Sequence, residues 1–85
     1  MQRKYVMLPL VEFCQFNLLK GSQIVLEHLE ERSDIDILVS DCLSQCSLCA
    51  KSLYCSFEGK IISSDDAVGL ELLINDEIIE WYKDL

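Results

Sequence analysis

Two short apolar segments on either side of an amphipathic segment limit the possible folds of this chain most strongly. Leu8 to Cys14 is apolar on both faces of an extended strand, which predicts a central strand of a sheet. Ile35 to Ser40 alternates between two unlike faces and predicts a less buried strand. Gln15 to Gly21 is predicted as a turn or loop, because Asn17 and Gly21 favour turns. The helix that follows is predicted from Ser22, as its N-cap, to Glu31 or Arg32. This order predicts a βαβ unit with parallel strands and a right-handed crossover.

The second half of the chain predicts a hairpin followed by a long helix. Leu53 to Glu58 and Lys60 to Ser63 are predicted strands, joined by a tight turn at Glu58-Gly59. The final helix is predicted to begin near Ser64, with two aspartates in its first turn. Apolar residues at helical spacing along it predict a single buried stripe, which consists of Leu70, Ile74, Ile78, Trp81 and Leu85.

The element order βαβ followed by ββα predicts an α/β fold built on the minimal thioredoxin-like core. We expect a mixed four-stranded sheet of order 2-1-3-4, with strand four antiparallel, and two helices. The 85 residues allow one domain with a single core, so residues 1–85 are predicted to form a single domain. With 51% hydrophobic residues, the chain is predicted to fold rather than to stay disordered.

The charge and the cysteine count disfavour nucleic-acid binding, membrane-surface binding and a secreted disulfide scaffold. A formal net charge of −8 disfavours binding to nucleic acid or to an anionic membrane surface. The apolar run from Tyr5 to Val11 contains Pro9, ends at Glu12 and lacks a small-residue cleavage site, so we interpret it as a strand rather than a signal peptide. An odd count of five cysteines disfavours a secreted disulfide scaffold. These features predict a cytoplasmic protein without a membrane span, whose partner is another protein.

Three of the five cysteines lie in a short stretch directly after the second predicted strand. Cys42 and Cys46 have a Cys-x3-Cys spacing, and Cys46 and Cys49 a Cys-x2-Cys spacing, which lets sulfurs share a metal, a cluster or a disulfide. Cys14 ends the first strand, and the ends of parallel neighbours lie side by side. We therefore expect Cys14, Cys42, Cys46 and Cys49 to form one cluster, and Cys55 to lie apart as a core residue.

The chemistry of this cluster is left open between three interpretations. The first is a non-catalytic binding or regulatory domain with reduced thiols and no cofactor. The second is a metal centre, with zinc or a [2Fe–2S] cluster held by the four clustered cysteines. The third is a redox dithiol that uses Cys14, Cys46 or Cys49. Glu12, two residues before Cys14 on the same strand face, is a candidate proton acceptor in any thiol chemistry.

Other enzyme classes find no support in the sequence. No serine or cysteine is paired with a placed histidine, and no glycine-rich phosphate loop is present, so we predict a protein that is not an enzyme. His28 is the single histidine, and we interpret it as a half-buried residue on a helix face rather than as a ligand.

Several short motifs resemble those of the YuzB-like family of small uncharacterised bacterial proteins. They are Val11-Glu12-Phe13-Cys14, Asn17-Leu18, Gly21-Ser22-Gln23, the run from Cys42 to Cys49, and the hairpin at Gly59. The resemblance covers nearly the whole chain after residue 9 and implies a fold rather than an activity.

A more distant similarity is to thioredoxin-like two-iron ferredoxins. It implies that Cys14 matches the first cluster ligand and that Cys42 and Cys46 match the last pair. The second ligand has no counterpart, because no cysteine lies between residues 15 and 41, and Cys49 replaces it only if its loop turns inward. Compared with thioredoxin itself, the chain also lacks the resolving cysteine after Cys14 and has Leu53 where a proline usually precedes strand three.

Overall fold

A computed structural model of the chain describes residues 8–41 and 51–83. Strands and helices alternate along the first described range, and a hairpin and a long helix fill the second. In chain order the elements are β1 (Leu10–Cys14), α1 (Gln15–Asn17), a π-helical segment (Leu18–Ser22), α2 (Gln23–Glu30), β2 (Asp36–Ser40), β3 (Leu53–Phe57), β4 (Lys60–Ser64) and α3 (Ala67–Lys83).

The four strands form one mixed sheet of order β2-β1-β3-β4. β1 pairs in parallel with β2, and the register places Cys14 opposite Ser40 at the carboxyl ends of both strands. β3 runs antiparallel to β1, and β4 runs antiparallel to β3. The predicted sheet order 2-1-3-4, the parallel pair and the α/β class are therefore confirmed. Among the described strands, β2 and β4 are therefore the outer ones.

The core lies between one face of the sheet and the two longer described helices, α2 and α3. Val11 and Phe13 of β1 are fully buried and point to this face, because alternate residues of a strand share a side. The helices contribute apolar side chains at helical spacing, namely Val25, Leu26, Leu29, Leu70, Ile74 and Ile78. Each such side chain contributes about 1.5 to 3 kcal/mol when it is fully buried. The predicted stripe on the last helix is confirmed as far as Trp81, which packs edge-on against Phe57 at 6.3 Å between ring centroids; Leu85 lies outside the described residues.

The predicted loop from Gln15 to Gly21 was wrong, because the chain turns into helix directly after Cys14. The helical path is interrupted at Gly21, whose φ of 150° is accessible to glycine and rare for other residues. Ser22 was predicted to cap the following helix, but it is buried and makes no side-chain capping hydrogen bond. Ser22 has helical backbone angles, φ −82° and ψ 0°, instead of the extended ones typical of an N-cap. Asn17, on the turn directly after Cys14, makes long-range hydrogen bonds that are described below.

The start of α3 also differs from the sequence prediction. The helix begins at Ala67 rather than near Ser64, and Asp66 precedes it as a cap whose Oδ1 accepts the backbone N–H of Gly69 at 2.8 Å. A Cβ atom at Gly69 would overlap the hydroxyl oxygen of Ser64, so a close approach explains a glycine inside a helix. In the described part of the chain no helix has both the length and the apolar character that a membrane crossing requires.

Candidate functional site

Cys14 lies at the end of β1 and is 1% exposed. Its thiol is 3.7 Å from the backbone carbonyl oxygen of Asp41, to which it donates a weak hydrogen bond. Asp41 directly precedes Cys42 in the sequence. The parallel pairing of β1 with β2 produces this contact, because it brings the end of each strand to the same edge of the sheet.

Asn17 forms hydrogen bonds to the part of the chain that follows the cysteine-rich stretch. Its side chain is fully buried, and its Nδ2 donates to the carbonyl oxygen of Ser52 at 2.9 Å. Its Oδ1 accepts the backbone N–H of Tyr54, also at 2.9 Å. Cys14 directly precedes the helical turn that contains Asn17, so this part of the chain contacts both Asp41 and Ser52. The sequence motif Cys14-Gln15-Phe16-Asn17 is therefore the organising element of this end of the sheet.

Sequence reasoning interpreted Asn17 as loop punctuation and missed this role. The spacing in the sequence could have indicated this role of Asn17. Cys14, Asn17 and Leu18 lie at positions i, i+3 and i+4, which is the spacing of one helix face. All three side chains are buried. A polar side chain on such a face must find hydrogen-bond partners, and the nearby backbone groups supply them.

The predicted cysteine cluster stays a prediction. Cys42, Cys46 and Cys49, with the metal-ligand and redox roles predicted for them, lie outside the described residues. Within residues 8–41 and 51–83, no group of three or more histidine, cysteine, aspartate or glutamate side chains is arranged to hold a metal ion.

Glu12 lies two residues before Cys14 and is partly buried. One carboxylate oxygen of Glu12 accepts the hydroxyl of Ser40 at 2.8 Å. Ser40 is the register partner of Cys14 on β2, so Glu12, Ser40 and Cys14 occupy the same end of the same sheet face. This arrangement positions the carboxylate near the thiol end of the strand pair, and its role as a proton acceptor stays a prediction.

Cys55 is fully buried in β3, within the core that the helices cover. Burial raises the pKa of the Cys55 thiol to about 12, because the apolar surroundings disfavour the charged thiolate. A thiol with such a pKa stays protonated at neutral pH and is a poor nucleophile. Cys55 is therefore a small core residue, as the sequence predicted.

His28 is exposed rather than half-buried, which corrects the sequence prediction. Its Nδ1 lies 2.7 Å from a carboxylate oxygen of Glu71, so the pair joins α2 to α3. The hydrogen bond to Glu71, supported by the negative charges of Glu71, Glu31 and Glu27, raises the pKa of His28. His28 therefore serves as a helix-to-helix contact on the side of the molecule built by α2 and α3.

Large apolar side chains are exposed close to the Cys14 end of the sheet. Phe16 is 62% exposed and Leu19 is 82% exposed, and both follow Cys14 within five residues. On β2, Leu38 and Val39 are 47% and 43% exposed. The sequence does not single these residues out, because the loop predicted over residues 15–21 gives no reason to assign faces to Phe16 and Leu19.

Comparison with known proteins places the chain in a family. A family profile described as "Protein of unknown function (DUF1450)" matches residues 7–81. A UPF0349 protein of Staphylococcus epidermidis is 49% identical over 59 residues, which cover 69% of this chain and 73% of the relative. A UPF0349 protein of Staphylococcus aureus strain JH9 is 41% identical over 57 residues, which cover 67% and 73%. No solved structure shows a significant match, so the thioredoxin-like kinship stays a prediction. The chain belongs to the DUF1450 family of proteins of unknown function.

Proposed function

We propose that this protein is a non-catalytic protein-binding module whose contact surface lies at the end of the sheet where β1 and β2 finish. In this proposal the cysteines act as thiols that contact or regulate the partner and hold no cofactor. The partner is a protein, and the compartment is the cytoplasm, where thiols stay reduced.

The observation that carries the proposal is the exposure of Phe16 and Leu19 beside the buried residues Cys14 and Asn17. Isolated exposed apolar residues are common, but two large ones on a single turn form a local patch. The turn is held in place by the hydrogen bonds of Asn17 to Ser52 and Tyr54. A rigid turn that presents apolar side chains loses little conformational entropy on binding, which favours a contact surface.

The charge of the chain supports a protein partner over a nucleic acid. A net charge of −8 repels phosphate backbones, and binding to nucleic acid would require clustered lysine and arginine side chains. The sequence carries only 7 lysine and arginine residues against 15 acidic ones.

The test is a comparison of two double variants in quantitative affinity capture from a host lysate. Phe16→Ser with Leu19→Ser removes the proposed patch, and Val68→Ser with Leu72→Ser removes exposed apolar side chains of α3 as a matched control. We expect one protein to be retained by the wild type and by the α3 control, and to be lost with the first double variant. Equal retention by both double variants would place the contact elsewhere, and no retained protein at all would contradict the binding function.

A second candidate function is a thiol-based metal or redox centre, which the contact between Cys14 and Asp41 favours. This contact places one thiol beside the residue that leads into Cys42, as a shared site would need. The ligand set in this proposal is Cys14, Cys42, Cys46 and Cys49, with zinc or a [2Fe–2S] cluster as cofactor. A redox dithiol would instead pair two of the residues Cys14, Cys46 and Cys49. The metal and thiol content of the purified protein separates these alternatives from a binding module.

A further inference from the structure

We propose that the open edge of β2 accepts an extended, basic segment of a partner protein as an added strand of the sheet. The inference rests on the proposed function in one respect, namely that the partner is a protein. It adds the chemistry of that partner, and it uses a surface distinct from Phe16 and Leu19.

The backbone of β2 has hydrogen-bonding groups, on the side away from β1, that no described residue pairs with. Among the described strands, β2 is paired with β1 alone. The N–H of Asp36 donates to the carbonyl oxygen of Pro9 at 3.0 Å, so the backbone groups of Asp36 point towards the β1 side of β2. In a parallel ladder alternate residues bond to the same neighbour, so Asp36, Leu38 and Ser40 face β1. The N–H and C=O groups of Ile37 and Val39 therefore point away from the sheet.

The side chains of this edge are of the kind that an added strand would cover. Leu38 is 47% exposed and Val39 is 43% exposed, and as successive strand residues they lie on opposite faces of the sheet. Native edge strands are usually blunted by lysine, proline or a bulge, which prevent pairing with another chain. β2 has none of these residues between Asp36 and Ser40, and its pairing with β1 is regular over all five positions. The edge is thus suited to strand addition.

The carboxylates at the two ends of β2 favour a basic partner segment. Asp36 and Asp41 lie at the two ends of β2, and both are exposed. Neither carboxylate forms an ion pair with a described residue, whereas the neighbouring Asp34 is paired with Arg32 at 2.8 Å. Two copies of this chain, each with a net charge of −8, would repel one another at this edge. A segment that carries lysine or arginine next to β-branched residues gains electrostatic attraction and apolar contact together.

The experiment uses short synthetic peptides and the full chain, at about 150 mM salt so that non-specific attraction is screened. The probe is a fluorescent peptide of alternating lysine and valine. One control peptide has glutamate in place of lysine, and another has the same sequence with alternate backbone nitrogens methylated. Val39→Pro removes an outward N–H of the edge without breaking the ladder to β1, and Val39→Thr keeps that N–H as its matched control.

We expect the basic peptide to bind wild type and Val39→Thr alike, and to bind Val39→Pro about tenfold more weakly because one main-chain hydrogen bond is lost. The methylated peptide and the acidic peptide should each bind at least about tenfold more weakly than the basic peptide. If Val39→Pro fails to fold, amide hydrogen exchange of the wild type tests the same contact. It should show that the amides of Ile37 and Val39 exchange fast in the free protein and become protected by the basic peptide.

Equal binding of the methylated peptide, or no protection at Ile37 and Val39, would overturn the inference. A dimer in sedimentation that Val39→Pro dissociates would also overturn it, because the edge would then be occupied by a second copy. The Phe16→Ser and Leu19→Ser variant separates this result from the proposed function. This double variant should bind the basic peptide as the wild type does, even though it no longer retains the captured protein. If the wild type fails to bind the peptide but still retains the captured protein, the inference about β2 is wrong and the proposed function is not contradicted.

Discussion

The side-chain oxygen of Asn17 accepts the backbone N–H of Tyr54 at 2.9 Å, across 37 positions of sequence. Asn17 stands on the helical turn after β1, and Tyr54 stands near the start of β3. The same amide donates to Ser52, so both polar atoms of a fully buried side chain have partners on the chain that enters β3. Asn17 therefore connects the Cys14 turn to the residues that follow the cysteine-rich stretch.

Asn17→Ala should lower the free energy of unfolding by about 2 to 4 kcal/mol, because it leaves the buried N–H of Tyr54 and the partly buried C=O of Ser52 without these hydrogen bonds. Asn75→Ala is the matched control, since its amide makes an exposed contact with Arg32 at 3.2 Å. That control should change stability by less than about 0.5 kcal/mol. Urea denaturation of both variants measures the difference. An Asn17→Ala protein as stable as the control would show that the hydrogen bonds of Asn17 do not hold this turn.

Gly69→Ala should destabilise the protein by about 1 kcal/mol, although alanine is normally the better residue inside a helix. The added Cβ would overlap the Ser64 hydroxyl and would lie 2.9 Å from the Asp66 carboxylate oxygen that caps α3. In a Ser64→Ala background the same substitution should cost less, because one of the two overlaps is gone. Thermal denaturation of the four proteins of this cycle measures the coupling. A rise in melting temperature for Gly69→Ala alone would contradict the close approach.

The pair formed by His28 and Glu71 should make stability depend on pH near neutrality. Its hydrogen bond raises the pKa of His28 above the unfolded value of 6.5, so the folded state holds the proton more tightly. This contribution is fully present below the unfolded pKa and is lost as the pH rises through the folded pKa. The melting-temperature advantage of wild type over His28→Gln should therefore shrink as the pH rises.

An NMR titration of His28 tests the cause of this pH dependence. Glu71→Gln should return the titration midpoint of His28 towards its ordinary value, because the carboxylate that stabilises the imidazolium is removed. Glu80→Gln is a charge-matched control on the same helix, since Glu80 lies 3.6 Å from Lys83 rather than near His28. An equal effect of both variants would point to the general charge of the helix instead of the contact.

Most of the sheet could be predicted from local patterns in the sequence. The apolar character of Val11 and Phe13, the turn at Glu58-Gly59 and the stripe from Leu70 to Ile78 each reflect a local periodicity or turn preference. Glu58 and Gly59 both adopt positive φ, at 51° and 88°, as a tight hairpin turn requires. Such features depend on neighbours along the chain, which the sequence displays directly.

The site could be predicted only in part, because its contacts join distant parts of the chain. The approach of Cys14 to the start of the cysteine-rich stretch followed from the parallel pairing of β1 and β2. The roles of Asn17 and Asp66 did not follow. The bonds of Asn17 reach Ser52 and Tyr54, and no local pattern marks those partners. Asp66, and not Ser64, accepts the backbone N–H of Gly69 as the cap, and serine and aspartate are both favoured caps, so residue type alone does not separate them.

Cys46→Ser and Cys55→Ser should have unequal effects on stability. Cys55 is fully buried in the core, so a hydroxyl in its place should cost about 1 to 3 kcal/mol in every condition. If the cysteines act as thiols without a cofactor, Cys46→Ser should change stability by less than about 0.5 kcal/mol. Melting curves with and without a chelator make the comparison. If the chelator lowers the melting temperature of the wild type to that of Cys46→Ser, a bound metal contributes to folding.

The metal and thiol content of the protein, purified without oxygen and without chelator, tests the proposed function most directly. A cofactor-free binding module predicts a colourless protein without iron or zinc, in which all five cysteines titrate as thiols after denaturation. A brown protein with about two irons per chain would contradict this account and favour a [2Fe–2S] centre. Stoichiometric zinc would contradict it in favour of a zinc site, and fewer than five thiols, restored by a reductant, would contradict it in favour of a redox dithiol.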